Sequence, residues 1–304
     1  MSNLENIRAW CFRVLSSFEF RHASFFPSAF RPSSLILHPS SLVLLLIATC
    51  GCAAARKPQP TIAGPATYQA VYGSLDLHSD VPLAGQADLF TELAARREEL
   101  YRDLALAASN EPVEIYLFAN AEAISGYRQR YCHGLSVRRA FFVQTAERLA
   151  VYAQWGERLP EDLRHETTHA FLHAVIPDLS LWLDEGLAVY YETPRGNRGL
   201  NPQHLRWLAG AMAGGGWHPD LVRLEQFPPA TDMRQADYAE AWAWVHFLLQ
   251  SRPQFADLLR RYLADVGAGH GGQAEPLSAR LRRTLVNPDA ALLEHVRAML
   301  SGSG

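Results

Sequence analysis

The chain has 304 residues, 48% of them hydrophobic and 19% charged. That is long enough for one large or two small cores and too apolar for a disordered chain. A formal net charge of -3, with no basic cluster, excludes nucleic acid as the partner, because phosphate recognition needs a basic surface.

The N-terminal region differs from the rest. Residues 42–48 (LVLLLIA) form an apolar run of signal-peptide size, too short for a stable bilayer anchor. Small residues and two cysteines follow, Thr49-Cys50-Gly51-Cys52-Ala53. This resembles a bacterial lipoprotein signal, in which the cysteine is lipidated and becomes the mature N-terminus. Cys50 has Ile47 at the third position before it, whereas Cys52 has the favoured Gly51 directly before it. Cys52 is the preferred acceptor, and an ordinary cleaved signal is the alternative. The expectation is an exported lipoprotein, anchored to a membrane and facing the periplasm or cell surface. Residues 1–40 are long and rich in Ser, Phe and Pro for a signal n-region, and read as an upstream extension or a misassigned start. Together 1–52 is read as leader and 53–66, with Pro58, Pro60 and Pro65, as an extended tether. Beyond the tether Cys132 is the one remaining cysteine, so no internal disulfide is expected and the thiol is expected to be buried.

Residues 86–108 carry Leu89, Leu93, Leu100 and Leu104 at helical spacing with charges between, which predicts an amphipathic helix. Pro112 breaks that pattern, and Val113–Phe118 is β-rich. Residues 120–131 predict a short helix with Asn120 as its cap and Glu122 in its first turn. Ala140–Gln144 and Leu149–Gln154 are two further β-rich runs, separated by four residues suited to a hairpin. Leu149–Gln154 lies just ahead of the next helix and reads either as a sheet edge lining a cleft or as an interior strand. From Pro160 onward the pattern is helical with breaks. One helix opens at Pro160, with Glu161 and Asp162 in its first turn, and stops before Pro177. Others are predicted at 181–192, 202–213, 237–250, 254–265, 277–285 and 288–300, with glycine-rich breaks at 214–216 and 267–272. The expected fold class is α+β: a small mixed β-sheet followed by a mainly helical half. Residues 67–266 form the expected main domain, and 267–304 a Gly-rich linker with C-terminal helices.

Inside the helix that opens at Pro160 stands His165-Glu166-Thr167-Thr168-His169. Residues four apart share a helix face, so His165 and His169 can present imidazole nitrogens to one ion. Glu166 then lies beside the open coordination position, where a metal-activated water needs a general base. Two histidines are not a complete site; a third protein ligand is required. Sixteen residues after His169 comes Glu185, within Trp182-Leu183-Asp184-Glu185-Gly186-Leu187-Ala188.

An HExxH helix, a short connection and a second helix carrying WLxEGLA resemble the gluzincin proteases, a superfamily that includes thermolysin and aminopeptidase N. The matching motifs cover about a tenth of the chain. The resemblance implies a zincin-like fold in which His165, His169 and Glu185 bind Zn2+ and Glu166 is the general base. Zinc suits a two-His, one-Glu donor set. Asp184 and Glu192 remain rival third ligands. His173 is a weaker rival, because His165 to His173 spans about 12 Å of helix rise, too far for three rings to close on one ion at about 2 Å. The oxyanion that develops during hydrolysis needs a donor, and Tyr238 is the candidate, with Tyr190, Tyr191 and His246 competing. The chain departs from the family in two places. Where thermolysin has an Asp four residues after its third ligand, this chain has Val189, so the groups that steady the zinc histidines must differ. The GxMEN stretch by which the aminopeptidase N family recognises a free amine is absent before His165, which favours an endopeptidase. The expected activity is therefore zinc-dependent hydrolysis of a peptide or protein substrate at the cell envelope. A non-catalytic module that keeps the peptidase fold is the alternative.

Overall fold

Val113, Ile115 and Leu117 alternate with Glu114 and Tyr116, and this period of two builds the centre of a five-stranded mixed sheet. The computed structural model of the chain describes residues 64–132, 138–229, 231–270 and 274–302. Cys50, Cys52, the leader and most of the tether lie outside the described residues. The strands are β1 (Tyr68–Tyr72), β2 (Leu75–Ser79), β3 (Val113–Phe118), β4 (Ala140–Gln144) and β5 (Leu149–Gln154), ordered β1-β2-β3-β5-β4. β1 and β2 pair antiparallel, β2-β3 and β3-β5 parallel, and β5-β4 antiparallel. The β4-β5 hairpin is as predicted, and Thr145 donates its N–H to the Arg148 carbonyl at 2.9 Å to close its turn.

Of the two roles open to Leu149–Gln154, the structure selects the interior one. β5 is held between β3 and β4, and β4 is the edge. The hairpin β1-β2 was not among the sequence expectations. It lies directly after the Pro-rich tether, and its outer strand leaves Val71 and Tyr68 in solvent, so little apolar periodicity marks it. The signal that could have found it is Leu75-Asp76-Leu77-His78, in which both leucines are fully buried.

The register stacks side chains into columns, one on each face. Leu77, Ile115, Val151 and Phe142 are successive cross-strand partners, and all are buried. On the opposite face His78, Tyr116, Tyr152 and Phe141 form an unbroken ladder of stacked rings, with centroids 4.9, 5.1 and 4.9 Å apart.

Helix α1 (Ala87–Asp103) follows β2, and α2 (Ala121–Tyr131) follows β3. Asn120 caps α2 as its sequence predicts, accepting the Ala123 N–H at 2.9 Å. Tyr127 of α2 packs on Phe118 and Tyr152, so α2 lies on the ladder face. Helix α3 (Leu159–His173) lies on the other face, where Phe142 of β4 meets its histidines. The burial of Leu163, Ala170, Phe171 and Leu172 holds it there. Polar links reinforce its placement from both sides. Arg164 makes a bidentate pair with Glu92 of α1 at 2.9 and 2.8 Å, and Arg139 makes one with Asp162 at 3.0 and 2.9 Å. Tyr101 of α1 donates to the Phe171 carbonyl at 3.0 Å.

The helical half continues with α4 (Leu181–Tyr191), α5 (Pro202–Ala213), α6 (Leu221–Glu225), α7 (Gln235–Gln250), α8 (Pro253–Asp265), α9 (Leu277–Arg282) and α10 (Pro288–Gly302). α6, a turn and a half long, was unanticipated, and a short π-helical turn, Val266–His270, stands where a glycine-rich break was expected. Leu277, Leu281, Leu292 and Val296 of the two last helices enter the same core as the sheet and α7. Among the described residues no helix is long and apolar enough to cross a membrane. Cys132 is half-buried just past α2, and burial pushes its thiol up, away from the reactive thiolate.

Candidate metal centre

His165 and His169 lie one turn apart on α3, and their rings meet edge to face. Their Nε2 atoms are 3.2 Å from each other. Both point at one oxygen of Glu185, Oε2, which is 3.4 Å from His165 Nε2 and 3.9 Å from His169 Nε2. Ligand atoms about 2.0–2.2 Å from a tetrahedral ion stand roughly 3.4 Å apart, so this triangle has the size of a zinc face. Glu185 is 0% exposed, and neither of its carboxylate oxygens accepts a hydrogen bond. A carboxylate stripped of water and left without donors is costly, and a cation between the two histidines and this acid removes that cost. Among the described residues this is the one group of three or more His, Cys, Asp or Glu whose atoms converge in this way. The residues fit a zinc ion.

The two rival ligands, Asp184 and Glu192, approach the histidines from behind. Glu192 accepts from His165 Nδ1 at 2.8 Å, and Asn201 donates to the other Glu192 oxygen at 2.7 Å. One oxygen of Asp184 lies 2.9 Å from His169 Nδ1. Each acid stands behind an Nδ1, and the Nε2 of the same ring is turned into the triangle. Glu192, two turns beyond Glu185, is thus the acid behind His165, and Val189 takes no part. His173 lies outside the triangle, as its reach predicts. Its Nε2 donates to the second oxygen of Asp184 at 3.0 Å, and its Nδ1 faces Gln144 Oε1 at 3.1 Å.

Electrostatics follow from this crowding of acids around buried rings. Burial lowers the affinity of His165 and His169 for a proton, but Glu185 and Glu192 beside the first, and Asp184 and Glu185 beside the second, overcome it and raise both. Burial works to raise the Asp184 carboxyl, yet His169 and His173 hold it below the usual carboxylate range. Glu166 is 8% exposed, and burial raises its carboxyl, opposed by His165, His169 and Arg138. A carboxylate raised in this way is a stronger base than one in water.

Tyr238 stands in the first turn of α7 and is 4% exposed. Burial raises its phenol, and the charges of Glu185 and Glu166 raise it further while Arg138 opposes them, so the hydroxyl shares the field of the triangle. Gly186 makes that approach possible. A Cβ there would lie 2.7 Å from the Ala241 carbonyl oxygen and 2.9 Å from Val245, so only glycine lets α7 come this close behind Glu185. Two of Tyr238's rivals are hydrogen-bonded elsewhere, whereas the Tyr191 hydroxyl has no hydrogen-bond partner among the described residues. Tyr190 accepts from Gln250 at 2.6 Å, Tyr191 lies under the Arg96 guanidinium, and His246 pairs with His295 at 2.9 Å. Arg138, just ahead of β4, is the group near Glu166 and Tyr238 that sequence reasoning missed. Without the fold nothing distinguishes it from its neighbour Arg139.

No protein-family model matches this chain, and no curated protein matches it.

Proposed function

We propose that this chain is a zinc-dependent peptidase of gluzincin type, with endopeptidase activity favoured, working at the cell envelope as an anchored lipoprotein. The observation that carries the reading is the triangle itself: two Nε2 atoms 3.2 Å apart, aimed at a buried Glu185 that accepts no hydrogen bond. The HExxH and WLxEGLA motifs support it independently, because they set the same three residues at family spacing.

His165, His169 and Glu185 would hold the ion. When bound, zinc supplies Lewis acidity that polarises a carbonyl and makes water easier to deprotonate. Glu166 takes a proton from the attacking water and passes it to the leaving amine. Its burial helps twice, raising its basicity and keeping bulk water from the proton it carries. Tyr238 donates from its hydroxyl to the oxygen on which negative charge develops. The edge of β4 offers an extended substrate a row of backbone groups, so affinity there depends little on sequence.

The test is zinc content together with digestion of a broad peptide library by the wild-type chain and by Glu166→Ala. One zinc per chain is expected in both proteins, with hydrolysis only in the wild type. Full activity in Glu166→Ala or in metal-free protein sinks the mechanism. Zinc without hydrolysis of any peptide would instead favour a binding module on this fold.

A further inference from the structure

We infer that His173 is a positioning residue: through Asp184 it ties the metal ligand His169 to Gln144 at the end of edge strand β4. The inference rests on the metal-site reading above and concerns a histidine that the zinc-binding set does not use.

His173 is 2% exposed and both of its ring nitrogens face acceptors, Gln144 Oε1 at 3.1 Å and Asp184 Oδ2 at 3.0 Å. The other Asp184 oxygen is 2.9 Å from His169 Nδ1. One carboxylate therefore lies between two imidazoles a turn apart, hydrogen-bonded to His173 and 2.9 Å from His169, and it cannot rotate toward one without leaving the other. Phe142 closes the third side. Its ring lies 6.4 Å from His169, nearly parallel, and 5.6 Å from His173. Phe142 and Gln144 are two apart on β4 and so face α3 together. A buried histidine that only satisfied its own nitrogens would need no such shared acid. The arrangement instead forms a path, Gln144 to His173 to Asp184 to His169, from the strand at the sheet edge to the ion. A peptide added to that edge would pull on the same strand.

The test loads the full chain with zinc alone, or with cobalt(II) alone, so that its readouts do not depend on turnover. Zinc affinity is measured by chelator competition and ligand geometry by the visible cobalt spectrum. His173→Phe keeps the bulk and removes the bond to Asp184 and the polar contact with Gln144; it is expected to weaken zinc about 10-fold and to shift the cobalt bands. Gln144→Leu is expected to weaken zinc less, by roughly threefold. In the double variant Gln144→Leu adds nothing further, because the path is already cut. His173→Gln, whose amide can still donate to Asp184, recovers most of the affinity. Wild-type affinity and spectrum in His173→Phe, or additive losses in the double variant, overturn the inference. Where His173→Phe loses its helical circular dichroism, Gln144→Leu decides: weakened zinc supports the path and unchanged zinc overturns it. A wild-type chain that binds no zinc overturns both this inference and the metal site. A zinc-binding wild type with unaffected variants overturns this inference alone.

Discussion

Two clusters of largely buried histidines in the protein are opposites. His165, His169 and His173 are ringed by Asp184, Glu185 and Glu192. His246 and His295 touch each other and the rings of Tyr190, Trp242 and Phe247. Burial disfavours the charged form of His165, His169, His246 and His295. At the first group the acids reverse that and raise His165 and His169. At the second nothing opposes it, and His246 is driven down to about 3 by burial, with His295 and Arg198 adding to the fall. Acids beside buried histidines compensate any cation held there, a proton or a metal ion alike, and a pair without acids offers no such compensation. The acids around the histidines, more than the histidines themselves, separate a candidate reactive centre from ordinary core.

Four experiments would break or sharpen that contrast. The largest effect is expected at Glu166. Glu166→Gln should lower kcat by about 10²- to 10⁴-fold with zinc content and melting temperature unchanged, measured on a fluorogenic peptide. Next is Tyr238→Phe, expected to cost about 10²-fold in kcat with little change in KM; an unaltered kcat would remove Tyr238 from the chemistry. Glu192→Gln keeps the shape but weakens the acceptor behind His165, and zinc affinity should fall about 10-fold or more, read by chelator competition. The smallest effect tests the acid-free pair. His246 has a folded pKa of about 3 against an unfolded value of 6.5, so in the window between them the unfolded chain binds a proton that the folded chain does not. Its contribution to stability is complete above 6.5 and is lost as the pH falls toward 3, with a slope of up to about 1.4 kcal/mol per pH unit. Urea midpoints between pH 7 and 4 should fall less steeply in His246→Phe than in the wild type. Equal slopes would mean that the ring is already charged in the fold.

What could be read from the sequence follows from how densely each feature is encoded. The three triangle residues and Glu166 fall within 21 consecutive positions, on two helices whose spacing the motifs carry. Those helices were legible, as were β3, the β4-β5 hairpin and the Asn120 cap. The roles of Asp184 and Glu192 were not. Sequence spacing puts Asp184 next to Glu185 and Glu192 two turns beyond it, on a different helix from the histidines. It does not say which ring nitrogen each will meet. Tyr238 depends on how closely α7 approaches α4, and that is set at Gly186 by the absence of a side chain. β4 became the edge, and β5 the interior strand, through the parallel pairing of β5 with β3, a long-range choice that two similar apolar runs do not announce.

The ring ladder across the sheet has an optical consequence. Tyr116 and Tyr152 stack at 5.1 Å in the sheet, with Tyr127 5.2 Å from Tyr152, whereas every tryptophan among the described residues follows β5 in the chain. Coupled tyrosines held in one chiral stack should dominate the near-ultraviolet circular dichroism of the sheet, while Trp182, Trp207, Trp217, Trp242 and Trp244 report on the helical half. The molecule thus carries two spectroscopic reporters, one for each half. Adding or stripping a cation, or heating, can be followed in both at once, and a lag of one signal behind the other would show which half yields first.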